Sequence, residues 1–164
     1  MADKKSEDLE YRCGFVALLG RPNVGKSSLI NTLLKEKVAA VSSKPQTTRN
    51  AIRCILTTEK EQIIFVDTPG IHKPKNVLGD YMVNEAGKAL AQVDLICFVV
   101  EAGDSRIGEE EELIIEILSK CGLPIVLAVN KVDKLSDPGF FWKTVEMYET
   151  RIMPAAVVPI SAKK

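Results

Sequence analysis

Short apolar runs alternate along this chain with longer stretches in which apolar positions recur at helical spacing. The runs predict strands near 13–19, 51–57, 62–66, 94–100, 124–129 and 156–160. The periodic stretches predict helices near 25–34, 79–91, 109–120 and 139–150. Such alternation calls for an α/β fold, a mostly parallel sheet covered by helices on both faces. One junction departs from it. Glu59-Lys60-Glu61 is too short for a crossover helix, so the second and third strands should pair antiparallel. Asp137-Pro138 reads as an N-cap followed by a first-turn proline. Glu109–Glu112 suits the positive end of a helix and reads as a solvated helix start, not a metal site. Met1–Glu10 is polar and charged and reads as a disordered tail, leaving 11–164 as one domain.

The strand Phe15–Leu19 runs into Gly20-Arg21-Pro22-Asn23-Val24-Gly25-Lys26-Ser27, and Ser28–Leu34 leaves that segment with helical spacing. This is G-x-x-x-x-G-K-S, a phosphate-binding loop in its strand-to-helix setting. Gly20 and Gly25 let backbone amides curl around phosphate oxygens with no Cβ in the way. Lys26 supplies a cation to the β- and γ-phosphates, and Ser27 a hydroxyl to Mg²⁺. The helix N-terminus, which includes Ser28, adds its dipole. The segment predicts binding of a nucleoside di- or triphosphate.

Two later segments choose the base. Asn130-Lys131-Val132-Asp133 follows the apolar run Ile125–Val129, so its side chains emerge at a strand's C-terminal edge, where α/β sheets bind ligands. A carboxylate at Asp133 accepts guanine N1–H and the 2-amino group together; adenine offers no such pair of donors. Asn130 can bridge the base edge and the phosphate loop, and the Lys131 stem can lie on the purine face. Ser161-Ala162-Lys163 follows a further apolar run, and its amides can meet guanine O6. Between these lies Ile63–Val66 running into Asp67-Thr68-Pro69-Gly70. Asp67 is the expected water-mediated Mg²⁺ ligand, and Gly70 lets its amide approach the γ-phosphate. Upstream, Thr47 or Thr48 can place a hydroxyl on Mg²⁺, with Thr48 favoured.

These five elements, in this order, resemble the G domain of the translation-factor-related P-loop GTPases. Arg21-Pro22-Asn23, Lys44-Pro-Gln-Thr-Thr-Arg49 and Asp67-Thr-Pro-Gly-Ile-His-Lys-Pro-Lys75 narrow the resemblance to the Era-like branch, which serves small-subunit ribosome assembly. The resemblance implies a three-layer G domain with a six-stranded sheet, one strand antiparallel, that binds GTP/GDP with Mg²⁺. It implies catalytic roles for Lys26, Thr48 and Gly70, and for Asn23, which in related GTPases helps hold K⁺ against the phosphates. Asn23 could equally be a turn residue only. Era-like proteins continue into a last G-domain helix and an RNA-binding KH domain, and neither follows Ser161–Lys163 here. Contacts with 16S rRNA and the small subunit, and any peripheral membrane association, are therefore expected of a longer parent. Ile71 stands where many regulatory GTPases carry a water-orienting Gln, so hydrolysis should be slow. His72, before Lys73-Pro74-Lys75, reads as a solvated loop residue more than a general base.

Composition adds bounds. Basic and acidic residues balance at 22 each, which argues against a strongly electrostatic nucleic-acid binder. Lys35, Lys37, Lys44, Arg49 and Arg53 form a local basic set that reads as a solvated loop. Cys13, Cys54, Cys97 and Cys121 show no C-x-x-C pair and read as reduced, mostly buried small hydrophobes of a cytoplasmic protein, which is separately expected to be a monomer. No apolar run is long enough to span a bilayer. Three readings remain beside an Era-like GTPase: the G domain of a tRNA-modification GTPase, a nucleotide-dependent binding module with negligible turnover, and a P-loop kinase or ATPase.

Overall fold

The computed structural model of the protein describes residues 11–36, 52–67, 90 and 92–163. The expected tail and most of the helix expected over 79–91 lie outside them, as do Thr47, Thr48, Gly70, Ile71 and His72. Six strands form one sheet: β1 (Arg12–Leu19), β2 (Ile52–Thr57), β3 (Glu61–Asp67), β4 (Leu95–Glu101), β5 (Ile125–Asn130) and β6 (Ala156–Pro159). The helices are α1 (Lys26–Leu34), α2 (Glu109–Cys121) and α3 (Gly139–Ile152), with a short 3₁₀ turn at Val132–Lys134. The strands lie in the order β2-β3-β1-β4-β5-β6. Every neighbouring pair is parallel except β2–β3, which is antiparallel as the short Glu59–Glu61 junction demands.

Strand period decides which core each side chain joins. Ala17 and Leu19 of β1, Ile96, Phe98 and Val100 of β4, and Ile125, Leu127 and Val129 of β5 face one side. There they meet Ile114 and Leu118 of α2 and Val145 and Tyr148 of α3. The alternate positions Leu18, Val99 and Ala128 face the other side, with Val24 and Ile30 of α1 and Phe65 of β3. The sheet is thus buried on both faces through its centre, which is why its strands read as unbroken apolar runs. On the first face Phe98 and Tyr148 meet edge-on, ring centroids 5.6 Å apart. β6 is a largely exposed edge strand, with Val158 40% accessible.

Two helix starts confirm their sequence signals, one of them with a correction. The Asp137 carboxylate accepts the Gly139 N–H at 2.7 Å, so Asp137 caps α3 although regular helical geometry begins two residues later. At α2, Glu111 accepts the Gly108 N–H at 2.7 Å. That is half of a capping box, since Gly108 has no side chain to reciprocate. The reading of Glu109–Glu112 as a solvated start fails at Glu111, which is only 3% exposed. Its buried carboxylate has a partner from far along the chain, the Arg21 guanidinium at 3.1 Å. None of the four cysteines forms a disulfide among the described residues: Cys54 is buried, Cys97 and Cys121 half-buried and Cys13 exposed. Burial pushes the Cys97 thiol up to about 12, which makes it a small apolar filler at neutral pH.

Candidate nucleotide site

The sequence-predicted site residues that the structure describes stand at the C-terminal ends of β1, β3, β5 and β6. Strand order reverses about β1, with β3 on one side and β4 on the other, and this opens the crevice where such sheets take ligands. Register fixes who meets whom. Asp67, the last residue of β3, lies opposite Leu18 and so comes beside the strand that feeds the loop. Glu101, the last of β4, lies opposite Asn130, the last of β5.

The loop from Gly20 to Ser27 has the backbone that its glycines permit. Gly25 sits at φ 107° and Asn23 at φ 63°. Asn tolerates this left-handed region better than other non-glycine residues, so Asn23 has a turn role whatever else it does. Its side chain is exposed, whereas Val24 is fully buried and anchors the loop to the sheet. The Lys26 ammonium donates to the carbonyls of Gly20 at 2.7 Å and Arg21 at 2.9 Å, which holds the cation across the mouth of the loop. The N-terminus of α1 carries no side-chain cap and no acidic residue in its first turn. Such a helix start suits an anion, unlike that of α2, where four glutamates occupy the first turn. Ser27 and Ser28 lie half-buried in that first turn of α1.

Asn130 is the hub. It is 2% exposed and donates from Nδ2 to the Val24 carbonyl at 2.6 Å. Its Oδ1 accepts from the Lys131 N–H at 2.8 Å and the Ala162 N–H at 3.0 Å. One side chain therefore ties the phosphate loop to both base-recognition segments. Each such buried bond adds about 1 kcal/mol net, and each group left without its partner costs about 1–3 kcal/mol. Thr32 of α1 adds a tie the sequence did not suggest, donating its hydroxyl to the Ala162 carbonyl at 2.8 Å. Asp133 is exposed at the rim, where the Ser161 hydroxyl donates to its carboxylate at 2.6 Å. Ala162 is buried behind it and Lys163 is exposed.

Arg21 is held at the edge of the phosphate loop by acidic partners. Its guanidinium turns to carboxylates, Asp104 at 2.7 Å, Glu101 at 3.2 Å and Glu111 at 3.1 Å. Glu101 also takes the Lys131 ammonium at 2.6 Å. The Tyr148 hydroxyl is buried in the same region; burial, then the charges of Glu111 and Asp104, hold its pKa well above the usual tyrosine value.

A phosphate loop on the strand-to-helix turn of a six-stranded, largely parallel sheet, with Asn130 joining it to a carboxylate-bearing base loop, defines a P-loop GTPase G domain. Residues 15–131 match the family described as 50S ribosome-binding GTPase. The chain belongs to that family. It is 49% identical over 154 residues to GTPase Era of Clostridioides difficile (strain 630), a match that takes in 94% of this chain and 52% of that protein. Two solved Era structures superpose well. A variant of Aquifex aeolicus Era bound to GDP·AlF₄⁻ gives a TM-score of 0.78 at 36% identity, covering 92% of this chain and 51% of that one. Era in complex with MgGDPNP and nucleotides 1506–1542 of 16S ribosomal RNA gives 0.81 at 35% identity, covering 93% and 52%. Elongation factor SelB from Methanococcus maripaludis, at 21% identity and a TM-score of 0.68 over 94% of this chain and 31% of its own, shares the fold. The chain is thus similar to the G domain of Era and spans about half the length of these Era relatives.

Proposed function

We propose that this domain is a guanine-nucleotide switch that binds GTP and GDP with Mg²⁺ and hydrolyses GTP slowly. The observation that carries the proposal is buried Asn130, bonded at once to Val24 in the phosphate loop and to Ala162 in the base loop. That bond pattern supports reading Gly20–Ser27 as a phosphate cradle and Asp133 as a guanine-selective carboxylate joined through one buried side chain. The backbone N–H groups between Gly20 and Ser28, Pro22 having none, and the Lys26 ammonium take the phosphates. Asp133, oriented by Ser161, takes guanine N1–H and N2–H, and the Lys131 stem lies against the ring. The Ala162 N–H already donates to Asn130, so guanine O6 shares that donor or turns to the Ser161 and Lys163 amides.

Ser27 lies in the first turn of α1 and Asp67 ends β3 opposite Leu18 of the feeding strand, so two residues with hard oxygen donors stand at the same end of the sheet. That donor set suits Mg²⁺, with Thr48 as a third candidate donor. Bound there, the metal supplies charge neutralisation at the β- and γ-phosphates. Gly70 and Thr48 are the elements that sense the γ-phosphate, and Gly70, Thr48, Lys26 and Asn23 are the catalytic set. For the longer protein that the Era relatives represent, the proposed partner is 16S ribosomal RNA on the small subunit, the RNA present in one of those relatives' structures. The cytoplasm is the proposed location. No described helix is long and apolar enough to cross a membrane.

With no water-orienting glutamine at position 71, turnover leans more on charge neutralisation, and we assign that charge to K⁺ held with the help of Asn23. Asn23→Gly is the informative variant, because glycine keeps φ 63° and removes only the side chain. Single-turnover GTP hydrolysis in KCl should exceed that in NaCl at matched ionic strength for the wild type. Asn23→Gly should bind GTP normally and lose the difference. Equal rates in both salts for the wild type would discard the K⁺ assignment and leave Asn23 as a turn residue. No hydrolysis in either salt, with GTP bound tightly, would reduce the domain to a binding module.

A further inference from the structure

We propose that Glu101 is a positioning residue for the nucleotide, clasping the phosphate loop and the base loop together through Arg21 and Lys131. The inference rests on the guanine-nucleotide reading above. One carboxylate oxygen, Glu101 Oε2, accepts from Arg21 at 3.2 Å and from Lys131 at 2.6 Å. Arg21 belongs to the phosphate loop and Lys131 to the base loop, so a single anion is held by a cation from each. Glu101 is itself fixed. It ends β4 directly opposite Asn130, and the following amide, Ala102 N–H, donates to the Asn130 carbonyl at 2.8 Å.

The surrounding charges explain why Arg21 stays in the clasp. Three carboxylates face it, and Glu111, in the first turn of α2, is only 4% accessible at its side chain. An arginine so surrounded forms a fixed strut between sheet, loop and α2, with its charge balanced before any phosphate arrives. Lys131 is half-buried and its backbone, at φ 66°, directs the side chain back over the end of β4. With its ammonium pinned on Glu101, the four-carbon stem has little rotamer freedom left to lose when a purine settles against it. Glu101 therefore acts on the ligand through two other side chains and has no need to touch it.

The test reads release of N-methylanthraniloyl-GDP in Mg²⁺ from the wild type, Glu101→Gln, Lys131→Met and the double variant, with apo melting temperatures alongside. Glu101→Gln keeps the volume and removes the charge that both cations need. It should accelerate release by about ten- to hundredfold, as loss of one partner in a half-buried charge pair acts chiefly on dissociation. In the Lys131→Met background the same change should have a much smaller effect, because half of the clasp is already gone. Should Glu101→Gln fail to fold, Glu101→Asp, which shortens the reach to both cations, must accelerate release in the same direction. A lowered melting temperature with unchanged release would make Glu101 a fold-stabilising residue only and overturn the proposal. So would effects of Glu101→Gln and Lys131→Met that simply add. A wild type that binds no GDP at all would instead overturn the guanine-nucleotide reading on which the clasp rests.

Discussion

Asp133→Asn should abolish high-affinity GTP binding and confer preference for xanthosine nucleotides. A carboxylate accepts two N–H donors from guanine, and hydrogen bonds to a charged acceptor are worth about 1.5–3 kcal/mol each. Replacing one acceptor by an amide NH₂ that faces another donor loses both the bond and the charge. The expected loss is about 3–6 kcal/mol, roughly two to four orders of magnitude in Kd. Xanthine carries an oxygen where guanine has its 2-amino group, so the new amide donor finds an acceptor and the mismatch is repaired. The Ser161 hydroxyl, which donates to Asp133 at 2.6 Å, can donate equally to the Asn carbonyl, so the loop itself should keep its shape. Competition titrations with GDP, XDP and ADP read the outcome. A variant that still prefers GDP would remove Asp133 from base recognition, and an ATPase or kinase site would ignore the change.

Gly25→Ala should weaken GDP binding by at least about a hundredfold, through two penalties that act at one position. At φ 107° an L-residue is strained, at about 1–3 kcal/mol. Independently, a Cβ there runs into the Nδ2 of Asn130, the atom that holds the Val24 carbonyl. Asn130 has to move, and the groups it leaves behind lose about 1–3 kcal/mol each. The hub that joins phosphate loop and base loop comes apart. Gly122→Ala is the matched control. Gly122 ends α2 at φ 66° with nothing near the site of an added Cβ. It should lower the melting temperature through strain of about 1–2 kcal/mol while leaving GDP affinity untouched. Equal effects of the two substitutions on affinity would mean that backbone strain, and not the Asn130 hub, governs the site.

Much of this domain could be read from the chain because its signals are local. Period-2 burial on both faces of a parallel sheet produces unbroken apolar runs. Every described strand and helix lies within a residue or two of its expected place, and the short Glu59–Glu61 junction gave away the antiparallel pair. The site was legible for a related reason: chemistry in such sheets sits where apolar runs stop. Asp67 and Asn130 became candidates by that rule, and each ends its strand. Glu101 stands at the same kind of strand end and the rule would have flagged it, but no nucleotide motif includes it. Glu111 was misread because four consecutive glutamates at a helix start usually face water. Only Arg21, delivered from another layer, makes one of them a buried ion pair. Long-range partnerships of this sort leave no periodic trace, and the Thr32 hydroxyl bond to Ala162 is another.

Calorimetric titration of the wild-type domain with GDP and with ADP, each with Mg²⁺ in the same buffer, tests the central claim most directly. The account predicts saturable one-to-one binding of GDP with a Kd of about micromolar or tighter and no measurable heat from ADP. Binding of both nucleotides with similar affinity, or of ADP alone, would contradict the assignment of Asn130, Asp133 and Ser161–Lys163 as a guanine-selecting frame.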